Sequence, residues 1–135
     1  MTAAVALWVA LGSSLGSVLR YVTELWLSQN PAIHFPWGTL TVNLLGSLII
    51  GWIVGLRLPA GHWFNNAAAR QFMVTGFCGG FTTFSLFSLE TLRLLEQNQW
   101  FLAVGHVLAT LVLMMLAVAA GFELARHGQP STDDD

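Results

Sequence analysis

The sequence predicts an all-α membrane protein with four membrane-spanning helices, and its composition and the spacing of its charges carry this prediction. Hydrophobic residues make up 55% of the 135 residues and charged residues 9%, whereas soluble domains carry about 25% charged residues. Asp, Glu, Lys and Arg are absent from four long stretches: 1–19, 25–56, 71–89 and 97–122. A helix needs about 20 mainly apolar residues to cross the hydrocarbon core, so each stretch accommodates one crossing.

Turn and interface signals bound the first two spans. Span one covers residues 3–26 and stops before Asn30-Pro31, a strong turn signal. It lacks a basic N-terminal region and is too long for a signal-peptide core, so it is predicted to stay in the protein. Span two covers residues 36–58, because Pro36 suits a first helical turn and Trp37 suits the headgroup boundary.

The second half of the chain supplies the other two spans. Span three is predicted over residues 70–95 and span four over residues 100–125. Small, polar and acidic residues then fill 127–135, a composition typical of a disordered tail. The chain is therefore predicted to be a single transmembrane domain, residues 1–126, followed by that tail.

The distribution of positive charge sets the orientation of the spans only weakly. The chain has five arginines and no lysine. Four spans place Arg57, Arg70 and Arg126 on the side of the N-terminus, and Arg93 on the other side with Arg20. A clear excess of positive charge on one side is what fixes orientation. The pattern predicts insertion in both orientations and pairing with an inverted copy, although a difference of one arginine is also compatible with a fixed orientation.

Several classes of function are disfavoured by composition. The net charge is −2, and no basic patch of the kind that binds nucleic acid is present. Cys78 is the single cysteine, so an internal disulfide is excluded, and no Cys/His cluster indicates a structural metal. The spacing of Ser, His, Asp and Cys matches no enzyme motif, and we expect a protein that is not an enzyme.

Span two carries polar residues at helical spacing. Thr39, Asn43 and Ser47 are four residues apart and lie along one ridge. An amide in hydrocarbon needs a partner. Asn43 therefore fits two roles, a hydrogen bond between helices or an N–H group directed at an anion.

The middle of span three predicts a helix break. Gly79 and Gly80 are followed, after Phe81, by the two β-branched residues Thr82 and Thr83, and such a run weakens a helix. A break at membrane depth leaves backbone carbonyls that protein, water or an ion must satisfy. Carbonyls freed in this way make a cation site.

Aromatic and hydroxyl side chains follow the predicted break. Phe84 and Phe87 share a helix face, and Ser85 lies close to them. A phenylalanine stripe is usually packing, but ring edges carry partial positive charge. Ring edges combined with hydroxyl and amide donors indicate a path for a small anion, without a fixed cation that would trap it.

The sequence resembles the Fluc (CrcB) family of fluoride channels over nearly the whole chain, and three blocks carry the resemblance: GSSLGSVLRY (12–21), PWGTLTVNLLG (36–46) and GFCGGFTTFSLFSLE (76–90). The resemblance implies a fluoride-selective channel of the cell inner (plasma) membrane that exports fluoride passively. It also implies an antiparallel, dual-topology homodimer with two pores, surrounded by lipid, with a structural Na⁺ at the centre of the interface.

The resemblance further implies two sets of site residues. The backbone carbonyls of Gly79 and Thr82, from both subunits, hold the Na⁺. With the polar ridge of span two included, the fluoride path is lined by eight side chains: Asn43, Phe84, Phe87, Ser85, Thr83, Thr39, His106 and Thr110.

The chain departs from the family pattern at two positions and leaves other roles open. Leu86 stands where relatives often have threonine, and Met114 follows Thr110 on the ridge of span four, so the hydroxyl track is shorter. His106 fits a helix–helix hydrogen bond as well as the pore. Arg20 and Glu90 fit either pore mouths or interface anchors.

Two other classes compete with the channel. A proton-coupled small multidrug transporter has a similar size but needs a titratable carboxylate deep in the membrane. The acids of the spans lie near helix ends, at Glu24, Glu90, Glu96 and Glu123, which counts against a transporter. A membrane scaffold without transport activity leaves the Gly-Gly-Phe-Thr-Thr-Phe-Ser run unexplained.

Overall fold

The computed structural model describes residues 3–27, 35–58 and 62–128, and these residues form helices and short connections without any strand. The elements follow in this order: α1 (Ala3–Leu27), α2 (Trp37–Gly55), a 3₁₀ turn (Trp63–Asn65), α3 (Ala67–Gln71), a π-helical segment (Phe72–Cys78), α4 (Gly79–Phe81), α5 (Ser85–Glu96) and α6 (Trp100–His127). The Asn30-Pro31 turn and the tail residues from 129 onward lie outside the described residues.

Four helical stretches in these residues are long and apolar enough to cross a membrane, which confirms the all-α class and the four spans. They are α1, α2, the run Ala67–Glu96 that contains α3 to α5, and α6, with mean hydropathies of 1.4 to 2.4. The chain is a multi-pass membrane protein. The lengths follow from sequence, since each run is free of Pro and carries any charged residues towards its ends.

The third span changes helix type along its length. It begins as an α-helix capped by Asn66, whose side chain accepts a hydrogen bond from the Ala68 N–H group. It continues as a seven-residue π-helix. The α4 helix ends at Phe81, Thr82 is extended with φ −82° and ψ 158°, and α5 starts at Ser85.

Glycines bring α1 close to the backbone of the third span. A Cβ atom at Gly12 or Gly16 would collide with the carbonyl oxygens of Phe72 and Phe77. In return, a Cβ at Gly80 would collide with the Ser13 carbonyl oxygen. Small residues at such contacts let two membrane helices approach closely, so α1 and the third span form one packed pair.

The other packed pair is α2 with α6, which contact each other along their lengths. A Cβ at Gly51 would collide with the Val118 carbonyl oxygen, and one at Gly121 with the Leu48 carbonyl oxygen. Gly51 and Gly121 therefore serve helix packing.

Several polar side chains of the spans are buried, and many large apolar side chains are exposed. Thr39, Asn43, His106 and Thr110 are buried, whereas Phe101 is 96% exposed. A soluble domain rarely exposes so many large apolar side chains. An apolar exterior suits lipid or a second subunit, and the buried polar groups mark where a functional site lies.

Candidate ion pathway

Asn43 holds the backbone between the end of α4 and the start of α5. Its Nδ2 group donates to the Thr83 carbonyl oxygen at 2.9 Å, and its Oδ1 atom accepts from the Thr83 N–H group at 2.7 Å. Both groups are buried, so the bonds are sheltered from water and each is costly to lose. The amide thus bridges α2 and the third span, while the second N–H of Nδ2 remains for another acceptor.

Hydrogen bonds to side chains deprive two backbone carbonyls of the N–H donors that an α-helix would give them. In an α-helix, the Thr83 N–H group would bond to the Gly79 carbonyl oxygen, but here it donates to Asn43. The Leu86 N–H group would bond to the Thr82 carbonyl oxygen, but it donates to Thr83 Oγ1 at 3.2 Å. The Gly79 and Thr82 carbonyls therefore lack the donors that a continuous helix would supply.

These two carbonyls are the backbone groups of this stretch that could hold a hard monovalent cation. A Cβ on Gly79 would meet no atom within 4 Å, and Gly79 is exposed. The Thr82 hydroxyl donates to the Cys78 carbonyl oxygen at 2.9 Å, and its oxygen keeps lone pairs that could also face a cation. Among the described residues no group of three His, Cys, Asp or Glu side chains is placed to hold a metal ion.

The two phenylalanines predicted for the pathway lie together at the start of α5. The ring centroids of Phe84 and Phe87 are 5.6 Å apart. Phe84 is 78% exposed in the single chain, whereas Phe87 is half-buried. The Ser85 and Thr83 hydroxyl oxygens lie 3.2 Å apart. Rings and hydroxyls thus surround one short stretch of backbone.

Two residues of α6 present polar groups to the interior without a protein partner. His106 is 0% exposed and Thr110 is 2% exposed. Both imidazole nitrogens and the Thr110 Oγ1 atom lack a hydrogen bond. The His106 ring lies 5.1 Å from the Phe87 ring. Buried polar groups are nearly always paired, so these groups indicate a place where water or an ion enters.

Thr39 extends this set onto the first turn of α2. It is 0% exposed, and its hydroxyl lies close to the Glu90 carboxylate without forming a hydrogen bond of good geometry. It shares a buried ridge with Asn43 and Ser47. The ridge predicted from spacing in the sequence therefore faces the interior of the fold.

The predicted mouth residues lie near a carboxylate that sequence reasoning did not select. Oxygen atoms of Glu90 and Glu24 are buried without a hydrogen-bond partner. Glu24 lies against Gly38 of α2 and interacts electrostatically with both Arg20 and Glu90. The available signal was the spacing of Glu24 four residues after Arg20, which places both on one face of α1.

Phe35 is a second residue that sequence reasoning did not select. It precedes Pro36 and its ring contacts His106 edge-to-face, with centroids 5.6 Å apart and an interplanar angle of 87°. Its distance of 71 residues from His106 in the chain left no local signal for this contact.

Comparison with known proteins gives a consistent result. A family model described as CrcB-like protein, Camphor Resistance (CrcB), matches residues 7–122. The chain is 48% identical over 115 residues to the fluoride-specific ion channel FluC of Opitutus terrae, covering 85% of this chain and 87% of the relative. It is 44% identical over 121 residues to the protein of the same name from Rhizobium meliloti, covering 89% and 94%.

Proposed function

The chain belongs to the CrcB-like family, and from this premise we propose that it is a fluoride-selective ion channel of the plasma membrane. It is not an enzyme: it lets accumulated fluoride leave the cell passively, driven outward by the negative interior potential. Relatives that are 44% to 48% identical carry the name of fluoride-specific ion channels, and their similarity extends over most of this chain.

One structural observation carries the proposal: neutral hydrogen-bonding groups are buried without a hydrogen-bond partner, and the His106 imidazole among them contacts the Phe87 ring. They are the Thr39 hydroxyl, the His106 imidazole and the Thr110 hydroxyl. Fluoride is small and strongly hydrated, so a pore must replace its water with several donors. Binding must also be weak enough to allow release. Neutral donors and positive ring edges meet both needs, whereas a fixed cation would trap the anion.

The proposal includes a structural Na⁺ held by the Gly79 and Thr82 carbonyls. The support is that the two N–H groups that would bond to these carbonyls in a continuous helix, those of Thr83 and Leu86, donate to side chains instead. The end of α4 at Phe81 and the start of α5 at Ser85 give the interruption that such a site needs. When bound, the ion would raise the local potential and hold the two subunits together, without lying in the pathway itself.

The proposed assembly is an antiparallel homodimer with an inverted copy and with two pores. Its support is the open surface at Gly79 and the 78% exposure of Phe84. A pore residue and a cation ligand that both face outward are incomplete in a single chain. A second subunit that covers this face would complete both sites.

Fluoride efflux from liposomes tests the function directly. The purified protein is reconstituted in vesicles loaded with potassium fluoride, valinomycin is added, and a fluoride electrode follows release. Chloride-loaded vesicles and protein-free vesicles serve as controls. We expect fast fluoride release with little chloride release. If folded protein releases neither ion, the channel proposal is wrong.

A further inference from the structure

A continuous row of aromatic rings connects the pathway phenylalanines to the start of α2. The ring centroids are 5.6 Å apart between Phe84 and Phe87, and 5.1 Å apart between Phe87 and His106. They are 5.6 Å apart between His106 and Phe35, and 4.7 Å apart between Phe35 and Trp37. The row begins at a ring that is 78% exposed and ends at one that is 50% exposed, so it passes through the fold from one accessible side chain to another.

His106, the middle ring of this row, has two ring nitrogens without hydrogen-bond partners. His106 is fully buried, and both of its nitrogens lack partners. Its ring neighbours, Phe87 and Phe35, offer carbon and hydrogen only. Burying a polar group without a hydrogen bond is costly, so the His106 nitrogens are suited to receive water or an ion.

The ring of Phe35 is positioned by its own backbone. The Trp37 N–H group donates to the Phe35 carbonyl oxygen at 2.9 Å, which forms a tight turn immediately before α2. Pro36, between them, has a restricted φ angle. This turn directs the Phe35 ring to His106 at 87°, an edge-to-face arrangement in which a ring edge, the positive part of its quadrupole, is presented.

We propose that Phe35 is a third phenylalanine of the anion pathway in this chain. Phe35 and His106 together contact a small, strongly hydrated anion. The anion passes them between the Phe84–Phe87 pair and the membrane surface where α2 begins. This inference rests on the proposed channel function and names a further residue of the same pathway. It predicts that fluoride conduction requires the aromatic ring of Phe35, and that an apolar side chain of similar volume does not replace it.

Two substitutions separate the ring from its volume. Phe35→Leu keeps an apolar side chain but removes the ring, and Phe35→Tyr keeps the ring. We expect Phe35→Leu to lower fluoride efflux from liposomes about tenfold, and Phe35→Tyr to conduct nearly as the parent does. Phe101→Leu is the matched control, because Phe101 is 96% exposed on α6 and its loss leaves efflux unchanged.

A binding measurement makes the test independent of conduction. Nuclear magnetic resonance of ring-labelled histidine, with the His106 signal assigned by its loss in His106→Gln, is recorded during titration with sodium fluoride. We expect the His106 signal to shift in the parent protein and to need several-fold more fluoride in Phe35→Leu. A response of this kind in a protein that releases no fluoride would support the binding contact and reject the channel.

Three outcomes overturn the inference about Phe35. The first is normal efflux from Phe35→Leu. The second is a His106 signal that fluoride does not shift in the parent protein, or that shifts equally in Phe35→Leu. The third is equal loss of efflux in Phe35→Leu and Phe35→Tyr, because that pattern would show that Phe35 serves packing alone.

Discussion

Asn43 shows how one side chain can prepare two sites. By bonding to both backbone groups of Thr83, it fixes the backbone between α4 and α5. The bond to the Thr83 N–H group also releases the Gly79 carbonyl from its helical donor. Its remaining N–H group is available for the anion-donor role predicted from sequence. The two roles first considered for Asn43, helix bridge and anion donor, are therefore compatible.

Asn43→Asp is expected to abolish fluoride release. The carboxylate cannot donate to the Thr83 carbonyl, and its charge repels the anion. Efflux from liposomes measures the effect, and gel filtration checks that the protein still folds. The matched control is Asn98→Asp, in an exposed turn where Asn98 has φ 57°, a conformation that Asp also tolerates. Normal fluoride release by a folded Asn43→Asp protein would exclude Asn43 as a pore donor.

Glu90 poses the opposite problem, because it brings a carboxylate close to an anion pathway. Its buried oxygen has no hydrogen-bond partner. Glu90→Gln removes the charge and adds an N–H donor of similar size, so fluoride efflux is expected to rise several-fold. Glu96→Gln, at an exposed position of the same helix, is the control and leaves efflux unchanged. A fall in efflux would instead assign Glu90 an essential role as a charged group.

Among the helices, disturbing the close packing of α1 on the third span is expected to lower the free energy of unfolding. A Cβ atom at Gly16 would lie 2.8 Å from the Phe81 backbone nitrogen. Gly16→Ala is therefore expected to lower the free energy of unfolding by about 1–3 kcal/mol. A Cβ at Gly105 would meet nothing within 4 Å, so Gly105→Ala is expected to be neutral or stabilising by about 0.5–1 kcal/mol. Unfolding in mixed micelles, followed by circular dichroism, compares the two variants, and an equal response would contradict the close packing of α1 at Gly16.

The elements also show how far the sequence could predict this structure. Charge-free stretches sufficed for the four spans, because a membrane requires both length and low polarity. The weak point of the third span was visible in Gly79-Gly80 and the threonines that follow. The π-helical segment was not visible, since no local propensity encodes it, and neither was the contact of Phe35 with His106. Both depend on tertiary packing between residues that lie far apart in the chain.

At the scale of the whole molecule, the freed carbonyls predict that sodium stabilises the assembly. Replacing sodium chloride by choline chloride at equal ionic strength is expected to lower the fraction of dimer in detergent, because the Gly79 and Thr82 carbonyls lose the sodium ion that they bind. In Asn43→Ala the Thr83 N–H group is free to bond to the Gly79 carbonyl, so the dependence on sodium should weaken. Analytical ultracentrifugation gives both fractions. Equal dimer content of the parent protein in the two salts would reject the proposed sodium site.

The weak charge bias leads to a prediction about orientation. Three arginines are predicted on one side of the membrane, Arg57, Arg70 and Arg126, and two on the other side, Arg20 and Arg93. A few added positive charges should therefore decide the direction of insertion. One variant carries two lysines at the end of α6 (His127→Lys, Gly128→Lys), and the other carries two at the end of α5 (Glu96→Lys, Gln97→Lys). All four positions are exposed, and lysine is favourable at a helix C-terminus.

If the active unit contains one chain in each orientation, neither variant should conduct fluoride when it is expressed alone. Coexpression of the two should restore efflux, because each supplies the orientation that the other lacks. The parent protein and a variant that carries one lysine at each end, Gln97→Lys with Gly128→Lys, are the controls, since neither has a strong charge bias. Efflux from liposomes made with singly and jointly expressed protein gives the comparison. Full activity of either biased variant alone would show that chains in one orientation form the pathway, and the antiparallel dimer would then be rejected while the fluoride channel itself stood.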